Sequence, residues 1–360
     1  MALIHFEVRG LRNLTTASFS PSPSITLLFG PNGSGKTTVL EGVYLLGMAR
    51  SFRTQQTRKL IQYGMTVATV FGRVDTGHAQ YGLGVQKQNG DVTLIRVNGE
   101  RQETASVLAG LLPLQLITPE SHTLLKGEPR ERRSYMDWGL FHVEHEFLDL
   151  WKRYRRYLEQ RNAALRGRVH AGEMSHWEQG LADCGEALAA MRERYIQEIS
   201  PLFAKIFTVL LEEEAPRLIY RRGWPKDHAL IEVLERNRAS ERVSGYTMAG
   251  PHRADLRLVT AEGLDAADSF SRGQQKLAVC ALRLAQMQYL QNVAGRRCTL
   301  LLDDLPAELD QRRRHLLMQS VASSGAQCLV TATDRNLLDL SPWNEAAVFH
   351  VEHGVVTEVV

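Results

Sequence analysis

The period at which hydrophobic and polar residues alternate changes several times along the chain. The first 125 residues have mainly strand-like periods, with one helical stretch among them. The predicted elements of this part are strands at 2–9, 24–29, 66–75, 80–87, 91–97 and 114–118 and a helix at 36–50. Asn89-Gly90 and Asn98-Gly99 are hairpin turn signals, so this part is predicted to contain an antiparallel patch.

Beyond residue 125 the period becomes helical and then mixed. Residues 126–211 hold few strand formers and many charges, which predicts an inserted helical lobe. The remaining predicted elements are strands at 254–260, 298–302 and 327–331 and helices at 274–291 and 311–323. This alternation favours a parallel sheet. We predict an α/β fold with one lobe from residues 1–125 and 246–360 and a mainly helical lobe at 126–245.

Composition narrows the class of protein only modestly. A chain of 360 residues with 44% hydrophobic content can bury the core of one large domain or two. No signal-peptide pattern follows Met1 and no apolar run reaches the roughly 18 residues needed to span a bilayer, so a cytoplasmic protein is expected. Four cysteines without a CxxC pair indicate reduced thiols. A net charge of +3 permits a nucleic-acid partner without arguing for one.

A glycine-rich segment after the second predicted strand carries the clearest chemical signal. It matches the phosphate-loop pattern G-x-x-x-x-G-K-[ST], and a helix is predicted to follow it. The predicted nucleotide-binding residues are Gly30, Pro31, Asn32, Gly33, Ser34, Gly35, Lys36, Thr37 and Thr38. Backbone N–H groups at a helix N-terminus bind phosphates, a lysine adds positive charge, and the Thr37 hydroxyl is a predicted Mg²⁺ ligand. A plain glycine turn would need neither the lysine nor the hydroxyl.

Two aspartates end the apolar strand predicted at 298–302. Parallel sheets place ligand sites at the carboxyl ends of their strands. Asp303 is the predicted Mg²⁺ ligand, and Asp304 is predicted to orient or deprotonate the attacking water. The competing interpretation makes both aspartates the N-terminal charges of a following turn.

Ser271, Gly273 and Gln274 open the helix predicted before this strand. Ser271 and Gln274 have the spacing of a capping box, which is a sufficient structural explanation. Ser-x-Gly-Gln some thirty residues before the aspartates also resembles the signature motif of ABC-type ATPases. That resemblance implies that the signature of one subunit faces the ATP on the phosphate loop of the other. It also matches Ala307-Glu308-Leu309-Asp310 to the loop that crosses such an interface.

Five further motifs are spread over nearly the whole chain: Leu11-Arg-Asn-Leu14, Ser51-Phe-Arg-Thr54, Leu116-Ile-Thr-Pro-Glu120, Arg132-Arg-Ser-Tyr-Met-Asp137 and Gly250-Pro-His-Arg-Ala-Asp-Leu256. Through these motifs the chain resembles the RecF family of bacterial recombination mediators. The insertion between Lys36 and Ser271 is larger than in transporter ATPases and far shorter than the arms of SMC proteins.

This resemblance implies an ABC-type ATPase head that binds ATP and Mg²⁺ and closes as a homodimer on single-stranded or gapped DNA. It implies RecR and RecO as partners in loading RecA, a role in recombinational repair, replication restart and the SOS response, and at most a weak DNA-dependent ATPase. Two alternatives stay open: the nucleotide-binding subunit of an ABC transporter, and an ATP-gated clamp with negligible hydrolysis.

Three positions depart from the wider ABC pattern. Thr118, or less well Gln115, stands where many relatives carry a glutamine, Asp304 replaces a glutamate, and Thr333 replaces the switch histidine. A shorter carboxylate and an uncharged threonine favour binding over fast hydrolysis.

The segment from Trp151 to Arg168 is rich in basic residues. Aromatic and leucine side chains at helical spacing are predicted to face the lobe core, which leaves Arg153, Arg156 and Arg161 available to DNA phosphates. A solvated basic helix face is an equally good interpretation. His252 and Arg253 are predicted either to touch nucleotide or DNA or to shape a turn.

Overall fold

A computed structural model describes residues 1–167, 171–304 and 308–359. Their contacts divide the chain into two compact units. The first unit combines residues 1–121 with residues 287–360, and the second unit comprises residues 122–286. Within the described residues, no helix has an apolar run long enough to cross a membrane.

The first unit contains two six-stranded sheets. Its strands are β1 (Ala2–Leu11), β2 (Leu14–Phe19), β3 (Ile25–Phe29), β4 (Val67–Asp75), β5 (Gln80–Gln88), β6 (Val92–Val97), β7 (Glu100–Gln102), β8 (Leu114–Ile117), β11 (Thr299–Leu302), β12 (Gln327–Ala332), β13 (Ala346–Glu352) and β14 (Val355–Glu358). Its α-helices are α1 (Lys36–Met48), α2 (Ser106–Leu111) and α10 (Gln311–Ser323), with 3₁₀ turns at Thr57–Lys59, Pro119–His122 and Arg335–Leu337.

One sheet is antiparallel in the order β2-β1-β4-β5-β6-β7, and the other is mainly parallel in the order β14-β13-β3-β12-β11-β8. Helix α1 contributes to a core shared with both sheets, through residues such as Val39, Leu40 and Val43. Phe6 and Phe349 come to this core from the two sheets. The glycine-rich segment that precedes α1 is therefore anchored to a buried frame.

The second unit is mainly helical. Its elements are α3 (Thr123–Lys126), α4 (Pro129–Val143), α5 (Phe147–Arg166), α6 (Ala171–Leu211), α7 (Leu230–Ser244), α8 (Ala266–Ser269) and α9 (Arg272–Ala294), which runs on beyond residue 286, together with strands β9 (Arg217–Arg221) and β10 (Asp255–Val259) and a 3₁₀ turn at Pro251–Arg253. The predicted boundary at residue 246 lies inside this unit. β10 pairs with β9 along its whole length, so residues 246–286 are grouped with the helical part.

Most predicted elements are observed within a few residues of their predicted ends, and the helix predicted at 311–323 coincides with α10. The strands β2, β7, β9, β13 and β14 and the helices α2, α7 and α8 were not predicted. Three of these strands are short, and β14 has exposed or half-buried residues throughout, so their hydrophobic alternation is weak.

Candidate functional site

The phosphate loop lies between β3 and α1, as predicted. Gly30 N donates to Ala332 O at 3.2 Å, and Gly354 N donates to Ser34 O at 2.9 Å, so the loop is tied to neighbouring strands at both ends. A side chain on Gly30 would place its Cβ 2.1 Å from Val351 O, with φ at 155°. Glycine is therefore required at this close approach.

The N-terminus of α1 has no side-chain cap, because its N-cap residue is Gly35 at φ 117°. Lys36 is buried and its Nζ donates to Gly30 O at 2.8 Å and to Pro31 O at 3.1 Å. Ser34 Oγ is buried without a hydrogen-bond partner among the described residues. Uncapped helix N–H groups, an ammonium and a free hydroxyl form a suitable cradle for a phosphate group.

Strand register brings polar residues together beside this loop. Leu302 of β11 lies opposite Ile117 of β8 and Val330 of β12, all running parallel. The next residue along each strand is Asp303 after Leu302, Thr118 after Ile117 and Thr331 after Val330, so three polar residues lie at one edge of the sheet. This is where parallel sheets bind ligands.

Asp303 is the centre of a small hydrogen-bond network. Its Oδ1 accepts from Thr37 Oγ1 and from Thr331 Oγ1, each at 2.9 Å. Thr331 Oγ1 in turn accepts from Asp304 N at 2.8 Å. Burial raises the pKa of Asp303, while the bonds from Thr37 and Thr331 act in the opposite direction. A buried carboxylate beside a threonine hydroxyl is a donor set that suits Mg²⁺.

Asp304 differs from its neighbour in backbone and in contacts. Its φ is 45°, a left-handed conformation that is uncommon outside glycine. Its Oδ1 is buried and has no hydrogen-bond partner among the described residues. An unsatisfied buried carboxylate oxygen one residue from the predicted metal ligand is suitably placed to accept a hydrogen bond from a water.

Helix α9 begins with the capping box that the sequence suggested. Ser271 N donates to Gln274 Oε1 at 2.9 Å, and Gln274 N donates to Ser271 Oγ at 3.3 Å. Gln274 Nε2 also donates to the two carboxylate oxygens of Glu213 at 3.1 and 3.0 Å. Ser271 and Gly273 are exposed, so the capped end of the helix is open to solvent.

The atypical positions occupy different environments. Gln115 is buried within β8, whereas Thr118 follows the carboxyl end of that strand and its N–H donates to Ser121 Oγ at 2.8 Å. Thr333 is exposed just after β12. In the segment matched to the interface loop, Asp310 caps α10 by accepting from Arg313 N at 2.8 Å. Ala307 lies outside the described residues.

For the basic segment on α5, the predicted burial and exposure of side chains are observed only in part. Tyr154 and Leu165 are buried and Arg153 and Arg156 are exposed, as predicted. The prediction that Arg161 is available to DNA is wrong. Its side chain is fully buried, and its guanidinium is paired with two buried glutamates. Arg168 lies outside the described residues.

His252 belongs to the interior of the second unit. Its Nδ1 hydrogen-bonds Tyr154 Oη at 2.6 Å and its Nε2 hydrogen-bonds Thr247 O at 3.0 Å. Burial lowers the pKa of His252 to about 4, and the positive charges of Arg253 and Arg133 act in the same direction. Of its two predicted roles, the structure supports the shaping of the turn.

Sequence reasoning missed three residues that shape the site. Thr331 bridges Asp303 and Asp304, and its only signal was a polar residue at the end of a predicted strand. Asn13 Oδ1 accepts from Thr38 Oγ1 at 2.9 Å. Buried Glu41 on α1 accepts from Arg12 at 2.8 Å and lies 3.7 Å from Arg53 Nη1. Asn13 lies in a motif quoted for the family resemblance, but no local pattern indicated its contact with Thr38 or the contacts of Glu41, because these join residues distant in sequence.

Comparisons with known proteins test the family resemblance. The family model described as "RecF/RecN/SMC N terminal domain" matches residues 2–357. A Pseudomonas aeruginosa protein named "DNA replication and repair protein RecF" is 42% identical over 99% of this chain and 98% of its own length. A Chromohalobacter salexigens protein of the same name is 44% identical over 98% of this chain and 99% of its own. The chain belongs to the RecF family.

Solved structures support the fold. The structure described as the recombination mediator RecF with ATP, in the RecFOR pathway, superposes with a TM-score of 0.88 at 22% identity, covering 100% of this chain and 98% of that one. An SMC head bound to the C-terminal winged-helix domain of ScpA gives a TM-score of 0.62 at 16% identity, covering 100% and 97%. The predicted fold class, an ABC-type ATPase head with a helical insertion, is confirmed, and so is the RecF resemblance.

Proposed function

We propose that the chain binds ATP with Mg²⁺ at the phosphate loop. The bond from Thr37 Oγ1 to Asp303 Oδ1 carries this proposal, because it joins the loop to the strand aspartate in the pairing that a nucleotide-bound metal requires. Residues 30–38 would hold the phosphates, with Lys36 supplying positive charge and Thr37 and Asp303 the protein ligands of the metal. Bound Mg²⁺ would neutralise charge on the terminal phosphates.

ATP in this proposal joins two copies of the chain. Ser271, Gly273 and Gln274 of one copy would meet the terminal phosphate held by the loop of the other, at the exposed N-terminus of α9. Asp304 would act on the attacking water through its unsatisfied oxygen. The expected activity is a weak, DNA-dependent ATPase, since Asp304 is short and Thr333 carries no charge.

The cellular role follows from the relatives. The relatives from Pseudomonas aeruginosa and Chromohalobacter salexigens are named as DNA replication and repair proteins. We assign this chain to DNA repair and replication in the cytoplasm, as an ATP-dependent homodimeric clamp on single-stranded or gapped DNA. By the family resemblance, RecR and RecO are its partners in loading RecA, and it supports the SOS response.

The two alternatives differ in their support. The reported relatives are DNA-repair proteins and SMC heads rather than transporter subunits, which disfavours a transporter engine. A clamp with negligible hydrolysis gains support from the uncharged Thr333 and the left-handed Asp304. Steady-state ATP turnover with and without DNA separates this alternative from a DNA-stimulated ATPase.

Mixing two defective variants tests the composite site. Lys36→Met has a poor loop and an intact signature, whereas Ser271→Arg has an intact loop and a blocked signature. Each alone should form no stable dimer with ATP, as measured by light scattering. The mixture can build one complete site, so partial dimerisation should return at higher protein concentration.

Two outcomes would contradict the proposal. Normal dimers from Lys36→Met alone would remove the phosphate loop from the mechanism. If both variants are folded and no mixed dimer forms across a concentration series, Ser271 acts only as a helix cap.

A further inference from the structure

A loop of the second unit displays apolar side chains to solvent. It follows α7, and in it Tyr246 is 44% exposed and Met248 is 40% exposed, while Val243 at the end of the helix is 91% exposed. Large side chains at such exposure mark interaction surfaces when they are clustered and rigidly held.

A buried charge network holds this loop in place. Arg161 Nη1 donates to Glu241 Oε2 at 2.6 Å and to Thr247 Oγ1 at 2.9 Å. Glu241 Oε1 accepts from Met248 N at 2.6 Å, and Asn162 Oδ1 accepts from Thr247 N at 2.8 Å. Because Arg161 and Glu241 are fully buried, the backbone at Thr247 and Met248, directly after Tyr246, is fixed from the interior.

One arginine contacts the exposed tyrosine, and another contacts the glycine before it. The Arg253 guanidinium lies 5.3 Å from the centre of the Tyr246 ring, a cation–π contact, and Arg166 packs beside Gly245. In the described part of the chain, neither Arg166 nor Arg253 forms an ion pair with a carboxylate.

We propose that Tyr246 stacks on an unpaired base of single-stranded DNA while Arg166 and Arg253 bind the adjacent phosphates. The proposal rests on the DNA-binding function above, and it specifies single-stranded DNA as the ligand and the residues that contact it. Unpaired arginines favour a polyanion over a protein partner, and an exposed ring beside them is the combination used to bind single strands. Base faces are available in a single strand and covered in a duplex. A preorganised loop also loses little conformational entropy on binding.

Fluorescence titration with a single-stranded oligonucleotide and with a blunt duplex of the same length tests the proposal. Tyr246→Ala should weaken single-strand binding about tenfold and change duplex binding less than about twofold. Tyr246→Phe keeps the ring and should bind like the parent. Arg166→Gln and Arg253→Gln should each reduce the salt dependence of single-strand binding by about 0.7 in the log–log slope.

Tyr63→Ala is the matched control, since Tyr63 is a fully exposed tyrosine of the first unit and should leave both affinities unchanged. Circular dichroism and melting confirm that each variant is folded. Parental single-strand affinity in Tyr246→Ala, or an equal loss on single strand and duplex, would overturn base stacking. Titrations at saturating ATP, with dimer formation of each variant checked by light scattering, separate a loss of base stacking from a loss of the ATP-dependent dimer, which the mixing experiment tests.

Discussion

Two helix N-termini of this protein carry the predicted ATP chemistry, and they are built in opposite ways. Helix α1 starts at Gly35 without a side-chain cap. Helix α9 starts with a closed capping box in which Ser271 and Gln274 satisfy each other. The N–H groups of the first have no side-chain cap, whereas at the second the Gln274 N–H already has a partner inside the chain.

This difference separates a primary binding site from a secondary one. The loop before α1 needs a ligand to complete its hydrogen bonds, so it is suited to bind ATP in a single copy of the chain. The end of α9 is stable by itself and would exchange its internal bonds for a phosphate only when a second copy presents one. Each variant below is expected to affect either the phosphate-loop site, which includes Asp304, or the start of α9, and to leave ATP binding or the cap at the other unchanged.

Lys36→Met should have the largest effect. Loss of a charge-assisted contact weakens ATP binding by about a hundredfold at each site, and an ATP-linked dimer has two such sites, so dimer formation should fall by about ten-thousandfold. Equilibrium binding of a fluorescent ATP analogue measures ATP affinity, and light scattering measures dimer formation. Lys59→Met, at an exposed lysine, is the control. Parental ATP affinity in Lys36→Met would contradict the assignment of primary ATP binding to the loop before α1.

Asp304→Asn should slow hydrolysis about a hundredfold and leave ATP binding intact, because it removes a base without removing the cradle. The dimer should then persist longer on DNA, as read by dissociation rate. Asp183→Asn, on the exposed face of α6, serves as the control. If ATP affinity falls instead, Asp304 is a metal ligand, and if turnover is unchanged, another group activates the water.

Ser271→Ala should cost about 1 kcal/mol of stability through loss of the cap. ATP binding by the monomer should not change, because the phosphate loop is untouched. Thermal or urea unfolding measures the first effect and nucleotide titration the second. Ser323→Ala, at an exposed serine bonded within its own helix to Gln319 O, should shift stability by less than about 0.5 kcal/mol. An unchanged stability in Ser271→Ala would contradict the capped terminus.

Glu213→Gln should have the smallest effect, about twofold tighter ATP-dependent dimerisation. Glu213 accepts from the Gln274 amide and places negative charge beside the signature, so removing that charge weakens the hydrogen bond to the amide and reduces repulsion of a phosphate. Glu214→Gln, at the exposed neighbour, is the control for the charge change alone. Weaker dimerisation in Glu213→Gln would mean that Glu213 instead orients Gln274 for binding.

Features encoded over short stretches were predictable from the sequence. The phosphate loop, the aspartates after β11 and the capping box of α9 each depend on residues within about ten positions, and the helical and strand periods placed most elements. The weak or short strands, such as β13 and β14, carried too little periodicity to be recognised. The grouping of residues 246–286 with the helical part was also missed, because it depends on the pairing of β10 with β9.

The sequence by itself determined the position of the phosphate-loop motif, the class of fold and the family. Only the tertiary structure decided which side chains meet. Arg161 was predicted to be a surface cation, but it is buried and its ion pairs connect α5 with α6 and α7. Tyr246 is exposed, and Arg253 makes a cation–π contact with its ring. Thr331 became part of the Asp303 network through strand register. Local periodicity records which face of an element is apolar, but a contact between distant elements depends on how those faces pack.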